Sequence, residues 1–555
     1  MIYSSQILAQ LLEKNCVSRN INKIVISPGS RNAPLIIEFT NKSFFEAYSI
    51  VDERCAAFFA LGMAQQTQQP VVVFCTSGSA LLNYYPAVAE AFYSNIPLII
   101  VSADRPSNKI DIADGQTIRQ KNVFANHSLY NANLLDAEDE FAYNVAEIEK
   151  AIAIAILKKG PVHINMPFEE PLYKTVTTSK IPDTFKFDKI SDELKQPNTI
   201  DSNVLDSWNA SDKKMILVGT HYPDKELNKL LSILSEDDSV IVLTETTSNL
   251  HHPNFINTID NLIFSLSDDQ LEFLKPDCLI TLGGMVVSKR VKQFLRQFKP
   301  QHHWHVSEFT APDTYFCLSG QVAMPSADFF TQLIENKSTV ESHFKKDWLQ
   351  RKMFVEQAHN TFMEKVPFSD LSVFNNINKA LPKHIMLQLA NSSVIRYAQL
   401  FHLDKTITVF CNRGTSGIDG STSTAIGAAL TTKQQTVFMT GDLSFFYDSN
   451  ALWNNYMPAN FRIILINNGG GGIFRILPGP QTTKALDYFE APHNLTAEHL
   501  CKMYGFEYTQ VGDDATLNTS LEHFFKESPQ PKLLEVTTPR ELNDKVLKDY
   551  FKTLN

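Results

Sequence analysis

Residues 436–472 read TVFMTGDLSFFYDSNALWNNYMPANFRIILINNGGGG, and this stretch decides the fold. Apolar and β-branched residues fill 436–440 and 461–467, with turn residues at their ends. That is the pattern of strands covered on both faces. The residues between them, FFYDSNALWNN, read as a helix. The first strand ends in Gly441-Asp442-Leu443-Ser444 and the second in Asn467-Asn468, followed by four glycines. Asp442 and Asn468 are 26 positions apart, room for one helix and one strand. Neighbouring parallel strands would bring both ends to one sheet edge. A carboxylate, an amide oxygen and a glycine carbonyl there form a hard-oxygen set. Such a set suits Mg²⁺, which keeps water and phosphate oxygens in its shell. The glycines let the backbone approach a diphosphate closely. Gly-Asp alone is an ordinary turn with Asp at a helix N-cap; the spaced pair says more.

The same rhythm of strand, turn and helix extends outward in both directions. Towards the N-terminus, strands are expected at 23–27 (KIVIS), 47–51, 70–75 (PVVVFC), 97–101 (PLIIV) and 161–165 (PVHIN). A middle region offers 214–219 (KMILVG), 239–244 (SVIVLT), 277–283 (DCLITLG) and 303–307 (HWHVS). The last region adds 384–389, 407–411 and 532–537 to the two strands of the opening stretch. Polar, weakly periodic sequence separates the regions. The expected organisation is an α/β protein of three domains, each an open, mainly parallel sheet flanked by helices. The boundaries are an N-terminal domain over 1–180, a linker over 181–203, a central domain over 204–335, a linker with a helix over 336–365, and a C-terminal diphosphate- and metal-binding domain over 366–555. In such sheets ligands bind outside the carboxyl ends of the strands.

Composition agrees with this. A chain of 555 residues has room for about three or four domains. It is 43% hydrophobic and 20% charged, ordinary for a soluble globular protein. A net charge of −10 argues against general nucleic-acid binding. No run approaches the roughly 20 apolar residues of a membrane span, and no signal peptide is visible. The seven cysteines are dispersed with no CxxC spacing, as expected of reduced thiols in a cytoplasmic protein.

The spaced Gly-Asp…Asn-Asn pair resembles the thiamine-diphosphate signature, with Leu443 where a third glycine is usual. A series of further motifs follows in order: Ser27-Pro28-Gly29-Ser30-Arg31, Asp52-Glu53-Arg54, Thr76-Ser77-Gly78, Ala103-Asp104-Arg105-Pro106, Gln116 with Ile118-Arg119-Gln120, Lys289-Arg290, Asn391-Ser392 with Arg396, Asn412-Arg413-Gly414, Ser416-Gly417-Ile418-Asp419-Gly420, and Gly472-Ile473-Phe474 with Leu477-Pro478. Together they resemble the 2-succinyl-5-enolpyruvyl-6-hydroxy-3-cyclohexene-1-carboxylate (SEPHCHC) synthase family of menaquinone biosynthesis, over nearly the whole chain. In that family Gly-Asp-Leu is normal. Gly115, where an Asn is familiar, and Gly469, where a third Asn is common, depart from its pattern.

The resemblance implies a transferase that uses thiamine diphosphate with Mg²⁺ (or Mn²⁺). Its substrates would be 2-oxoglutarate and isochorismate, and its assembly a homodimer or dimer of dimers. Glu53 would be catalytic, hydrogen-bonding the cofactor's pyrimidine so that the thiazolium C2 proton is lost. Ser392, Ile418, Gly441, Asp442, Leu443, Ser444 and Asn468 would bind the cofactor; Ile418 is the large apolar prop beneath it. Asp442, Asn468 and the carbonyl of Gly470 would hold the metal. Arg396 and Arg413 would take the 2-oxoglutarate-derived carboxylate. Ser30, Arg31, Arg105, Gln116, Lys289 and Arg290 would mainly take isochorismate. Ile473, Phe474 and Leu477 would form an apolar wall. Arginine suits dicarboxylates because its fork donates two parallel hydrogen bonds.

The rival readings are another thiamine-diphosphate carboligase or decarboxylase of the acetohydroxyacid synthase type, and a non-catalytic binding protein that kept the fold. Pyruvate-type substrates carry one carboxylate and need fewer cations; loss of Glu53 or Asp442 would favour the binding protein. His302-His303-Trp304-His305 looks like a metal cluster, but no third ligand follows at fixed spacing, and core histidines are the simpler reading.

Overall fold

The computed structural model describes residues 2–136, 138–190, 199–476 and 484–555. Among them are three six-stranded sheets, all parallel, and a small antiparallel pair, Tyr3–Ser4 with Thr175–Val176. The expected strands are present. Val71–Cys75, Leu98–Asp104, Thr436–Gly441 and Phe461–Asn467 are buried almost throughout, because helices cover both faces of a parallel sheet.

The first and third sheets share one topology. In the first, Glu46–Ser49 lies beside Lys23–Ile26, followed by Val71–Cys75, Leu98–Asp104, Val162–Pro167 and Tyr130–Asn133. In the third the order is Thr408–Cys411, Met386–Leu389, Thr436–Gly441, Phe461–Asn467, Lys532–Thr537 and Glu507–Val511. In chain order both read 2-1-3-4-6-5. The middle sheet reads 3-2-1-4-5-6, from Phe255–Ile256 across to Gly320–Val322. In each outer sheet the order reverses between strands 1 and 3, and ligand sites form outside such a switch point. In the third sheet the flanking turns follow Leu389 and Gly441.

In the three large sheets four strands escaped the sequence reading, Tyr130–Asn133, Phe255–Ile256, Gly320–Val322 and Glu507–Val511, as did the small pair Tyr3–Ser4 and Thr175–Val176 outside them. The four are all edge strands. YNAN and EYTQV carry little apolar sequence because one side meets solvent, and the other two are only two or three residues long. Leu98–Asp104 runs three residues further than expected, placing Arg105 directly at its carboxyl end. Residues after Thr175–Val176 still belong to the first core: Ile181 is buried there, and Phe185 and Phe187 pack on it.

The first and third units share a core through two helices, Glu53–Thr67 and Ser421–Ala429. All nine residues of the second are buried. The helices cross at glycines. A Cβ on Gly62 would lie 2.0 Å from the carbonyl oxygen of Thr424, and one on Gly427 would lie 2.0 Å from that of Phe59. Helix propensity alone would favour alanine at either site by roughly 1 kcal/mol. Here the obstacle is backbone that cannot rotate away. Gly427→Ala is therefore expected to destabilise the protein by at least about 1–3 kcal/mol. Chemical denaturation would check the sign; a variant as stable as the parent would mean that the helices do not approach this closely.

Candidate functional site

At the third sheet's switch point lies a cavity of about 190 Å³. It brings together Ser392, Ile418, Gly441, Asp442, Leu443, Ser444, Asn468, Gly470, Ile473 and Phe474, all expected to be site residues. Asp442 opens the helix Asp442–Tyr447, and Gly441 takes the N-cap position. The Asp442 carboxylate is buried. Its Oδ1 accepts from the Leu443 amide at 2.7 Å and its Oδ2 from the Gly470 amide at 2.9 Å, tying the strand end to the glycine loop. Gly470 has φ +147°, and a Cβ there would lie 2.6 Å from the Glu490 carbonyl oxygen, so only glycine fits. Asn468 donates from Nδ2 to Asp370 Oδ2 at 3.0 Å. Its buried Oδ1 has no hydrogen-bond partner among the described residues. A buried carboxylate and an orphaned amide oxygen beside a loop that accepts only glycine fit a hard divalent cation and the diphosphate it would hold.

Among the residues of this cavity region that were not foreseen are an acid and a histidine. Asp370 is fully buried, and burial pushes its carboxyl up to about 6; it also accepts from Thr538 Oγ1 at 2.6 Å. It fixes which way Asn468 points. In the sequence it looks like any acid in a first helical turn. His493 Nε2 stands 3.3 Å from Asp442 Oδ2, while its Nδ1 accepts from the Leu495 amide. The loop around His493 gives no periodic signal.

A second cavity, of about 490 Å³, shares Ser393, Tyr397 and Ile473 with the first. It holds Lys289, Arg290 and Arg396. The Arg290 guanidinium lies 4.0 Å from the ring centre of Phe264, which stacks on Phe551 at 3.8 Å. Phe551 belongs to the helix Asn543–Thr553, whose Lys548 and Lys552 also line the cavity; the sequence reading assigned this helix no role at the site. Buried Glu245 accepts from the amides of Val287 (2.6 Å) and Ser288 (2.7 Å), locking the turn before Lys289. Burial pushes its carboxyl up to about 7. Arg396 donates to the Ser392 carbonyl at 2.8 Å. Burial, then the nearby Arg413, pull its guanidinium below the usual range. Arg413 lines neither cavity but donates to Asn391 Oδ1 at 2.7 Å, and Asn391 lines the first.

Ser30, Arg31, Arg105 and Gln116 gather elsewhere, at the first sheet's carboxyl edge, around a cavity of about 740 Å³. Arg31 donates to the Phe168 carbonyl at 3.0 Å and faces Glu170 at 3.5 Å. Arg105 donates to the Gly115 carbonyl at 3.1 Å. Glu53 begins the helix Glu53–Thr67, capped by Asp52, and lines neither third-unit cavity. Burial, with Asp52 adding to it, pushes its carboxyl above the ordinary range. The expected site residues of one chain that line a cavity thus fall into two groups, around separate cavities. Leu477 lies outside the described residues.

The histidines at 302–305 have a structural account. His303 Nε2 and His305 Nδ1 both meet the Thr281 hydroxyl, at 2.8 and 2.9 Å, and burial brings each down to about 4, so both are neutral core side chains.

Family models match all three units: "Thiamine pyrophosphate enzyme, N-terminal TPP binding domain" over residues 5–128, "Middle domain of thiamine pyrophosphate" over 186–389, and "Thiamine pyrophosphate enzyme, C-terminal TPP binding domain" over 391–536. The protein of Flavobacterium johnsoniae named 2-succinyl-5-enolpyruvyl-6-hydroxy-3-cyclohexene-1-carboxylate synthase is 54% identical, covering 100% of both chains. Its namesakes from Flavobacterium psychrophilum and Christiangramia forsetii are 53% identical over 100% of both chains and 48% identical over 99% of both. The chain belongs to the SEPHCHC synthase family.

The SEPHCHC synthase resemblance seen in the sequence therefore holds over the full length, and with it the three-domain α/β thiamine-diphosphate fold. The middle-domain match ends at 389, although Met386–Leu389 is hydrogen-bonded into the third sheet.

Proposed function

We propose that the chain is a SEPHCHC synthase of menaquinone biosynthesis. It would decarboxylate 2-oxoglutarate and join the remaining four-carbon unit to the ring of isochorismate by conjugate addition. Thiamine diphosphate supplies the electron sink for losing CO₂ and forming the carbon–carbon bond. Mg²⁺ or Mn²⁺ would be held by Asp442, Asn468 and the Gly470 carbonyl. Ser392, Gly441, Leu443 and Ser444 would line the diphosphate, and Ile418 would prop the cofactor. Arg396 and Arg413 would orient the 2-oxoglutarate-derived carboxylate, and Lys289 and Arg290 the isochorismate carboxylates, with Ile473, Phe474 and Leu477 excluding water.

The observation that carries this reading is the wall of Ser393, Tyr397 and Ile473 shared by the cofactor cavity and the cationic one. An acidic protein that binds two dicarboxylates needs such a local concentration of positive charge. Because Glu53, Ser30, Arg31, Arg105 and Gln116 lie apart from that wall, we infer that the first unit of another copy completes each site, in a homodimer or dimer of dimers. No helix among the described residues is long and apolar enough to cross a membrane. The free cysteines, all but Cys317 buried, support a reducing, cytoplasmic setting. The deciding experiment is incubation with 2-oxoglutarate, isochorismate, thiamine diphosphate and Mg²⁺, with mass detection of the adduct. Turnover of pyruvate in its place would favour the acetohydroxyacid synthase type.

The two substrate groups can be tested separately, since CO₂ loss needs no isochorismate. Arg413→Ala is expected to slow CO₂ release from 2-oxoglutarate alone, while Arg290→Ala leaves that step near parental and slows only the joining step. Removing a charge-assisted carboxylate contact, once bound substrate has covered it, costs roughly 2–5 kcal/mol, about thirty- to several-thousand-fold in the affected step. Equal slowing of CO₂ release by both variants in single-turnover experiments would overturn the division.

A further inference from the structure

Glu90 sits on the helix Tyr85–Ser94 of the first unit and is 1% exposed. Burying a carboxylate is costly unless donors surround it, and here four do. Its Oε1 accepts from the Gly414 amide at 2.6 Å and from Ser94 Oγ at 2.9 Å. Its Oε2 accepts from the Thr415 amide at 2.7 Å and from Thr415 Oγ1 at 2.9 Å. Three of these donors belong to a loop of the third unit, more than 320 positions away.

That loop joins the strand Thr408–Cys411 to the helix Ser421–Ala429 and carries Arg413 and Ile418. On its other side Asn391 holds it. Asn391 Nδ2 donates to the carbonyls of Asn412 and Gly417, both at 2.7 Å, and its Oδ1 accepts from Arg413. The loop is therefore gripped between a first-unit carboxylate and a third-unit amide. The buried Arg413 Nε has no hydrogen-bond partner among the described residues, which leaves a donor free for an anion.

We propose that Glu90 is a positioning residue. By clamping the amides of Gly414 and Thr415 it aims Arg413 at the carboxylate of 2-oxoglutarate and sets Ile418 at the cofactor cavity. This rests on the substrate reading above and extends it to a residue that touches neither substrate nor cofactor. The first unit then shapes the third-unit site of its own chain, besides any part it plays in another copy's.

Glu90→Gln tests it. The amide keeps the size but turns an NH₂ against a backbone N–H. The KM for 2-oxoglutarate is expected to rise roughly ten- to a hundredfold, the worth of one charge-assisted hydrogen bond. The KM for isochorismate should stay within about twofold of the parent. In the apo protein, amide hydrogen exchange should speed up in peptides covering 412–418 and stay parental in Val71–Cys75 and Phe461–Asn467. Glu90→Asp, which keeps an acceptor-only carboxylate, should recover part of both. Should Glu90→Gln fail to fold, Thr415→Val removes one donor to Glu90 and should shift both readouts the same way, more mildly. Parental exchange over 412–418, a parental KM for 2-oxoglutarate, or equal rises in both KM values would overturn the proposal. A parent enzyme that releases no CO₂ from 2-oxoglutarate would instead sink the substrate reading, while exchange over 412–418 still decides whether the clamp exists.

Discussion

Asp442→Ala is expected to abolish retention of thiamine diphosphate in Mg²⁺, weakening its binding by a hundredfold or more. The charge removed would stand directly against the cation, and Mg²⁺ held by few protein oxygens has no ready substitute for a carboxylate. The same side chain also accepts the Gly470 and Leu443 amides, so alanine frees the glycine loop as well. Asp442→Asn separates the two effects. It can still accept one of the two amides but turns an NH₂ against the other and carries no charge, so it should lower the melting temperature of the apo protein less than alanine does while losing most of the cofactor affinity. Calorimetric titration of each variant with thiamine diphosphate at saturating Mg²⁺ would check this. Parental affinity in either variant would mean that the cation is not held by Asp442.

The central strands were legible because both faces of each are covered and their sequences are nearly uniform, as in VVVFC and FRIILIN. Edge strands such as EYTQV were not, since a half-solvated strand has no such run to show. That Asp442, Asn468 and Gly470 would meet in one cavity was legible because residue types suited to metal and diphosphate stand at strand ends that the topology brings together. The places of Asp370, Glu90 and Glu245 were not. Each is a carboxylate on or beside a helix, and only folding reveals that its partners are the Asn468 amide, a loop 324 positions away, or the turn before Lys289. The stack of Arg290, Phe264 and Phe551 escaped for the same reason, being drawn from three distant parts of the chain. Residues that meet a ligand are constrained in type; residues that aim them are constrained mainly in place, and place is not written locally.

Glu53→Gln should behave unlike Asp442→Ala, because the role proposed for Glu53 is to hold a proton rather than to anchor the cofactor. The structure puts Glu53 in the first turn of a buried helix, where burial and the neighbouring Asp52 push its carboxyl above its ordinary range. A carboxyl raised in this direction is better suited than an ordinary one to share a proton with a ring nitrogen, which is what acid–base work asks of it. Glutamine keeps the size and can still contact the ring, but it has no proton to exchange. Thiamine diphosphate should therefore bind Glu53→Gln within a few-fold of the parent. The C2 proton of the bound cofactor should exchange with deuterated water roughly 10²–10⁴-fold more slowly, the usual worth of a positioned acid–base group. Quenched-flow exchange read by proton NMR measures this without either substrate, so substrate-binding effects cannot intrude. Exchange at the parental rate would remove Glu53 from the chemistry. Loss of cofactor binding with normal exchange in the fraction still bound would make it an anchoring residue instead. Mixing Glu53→Gln with Asp442→Ala carries the argument to the assembly. If another copy's first unit completes each site, a mixed dimer contains one site with both defects and one with neither. Two individually inactive proteins should then recover activity when their subunits exchange, whereas a site built within a single chain would stay inactive.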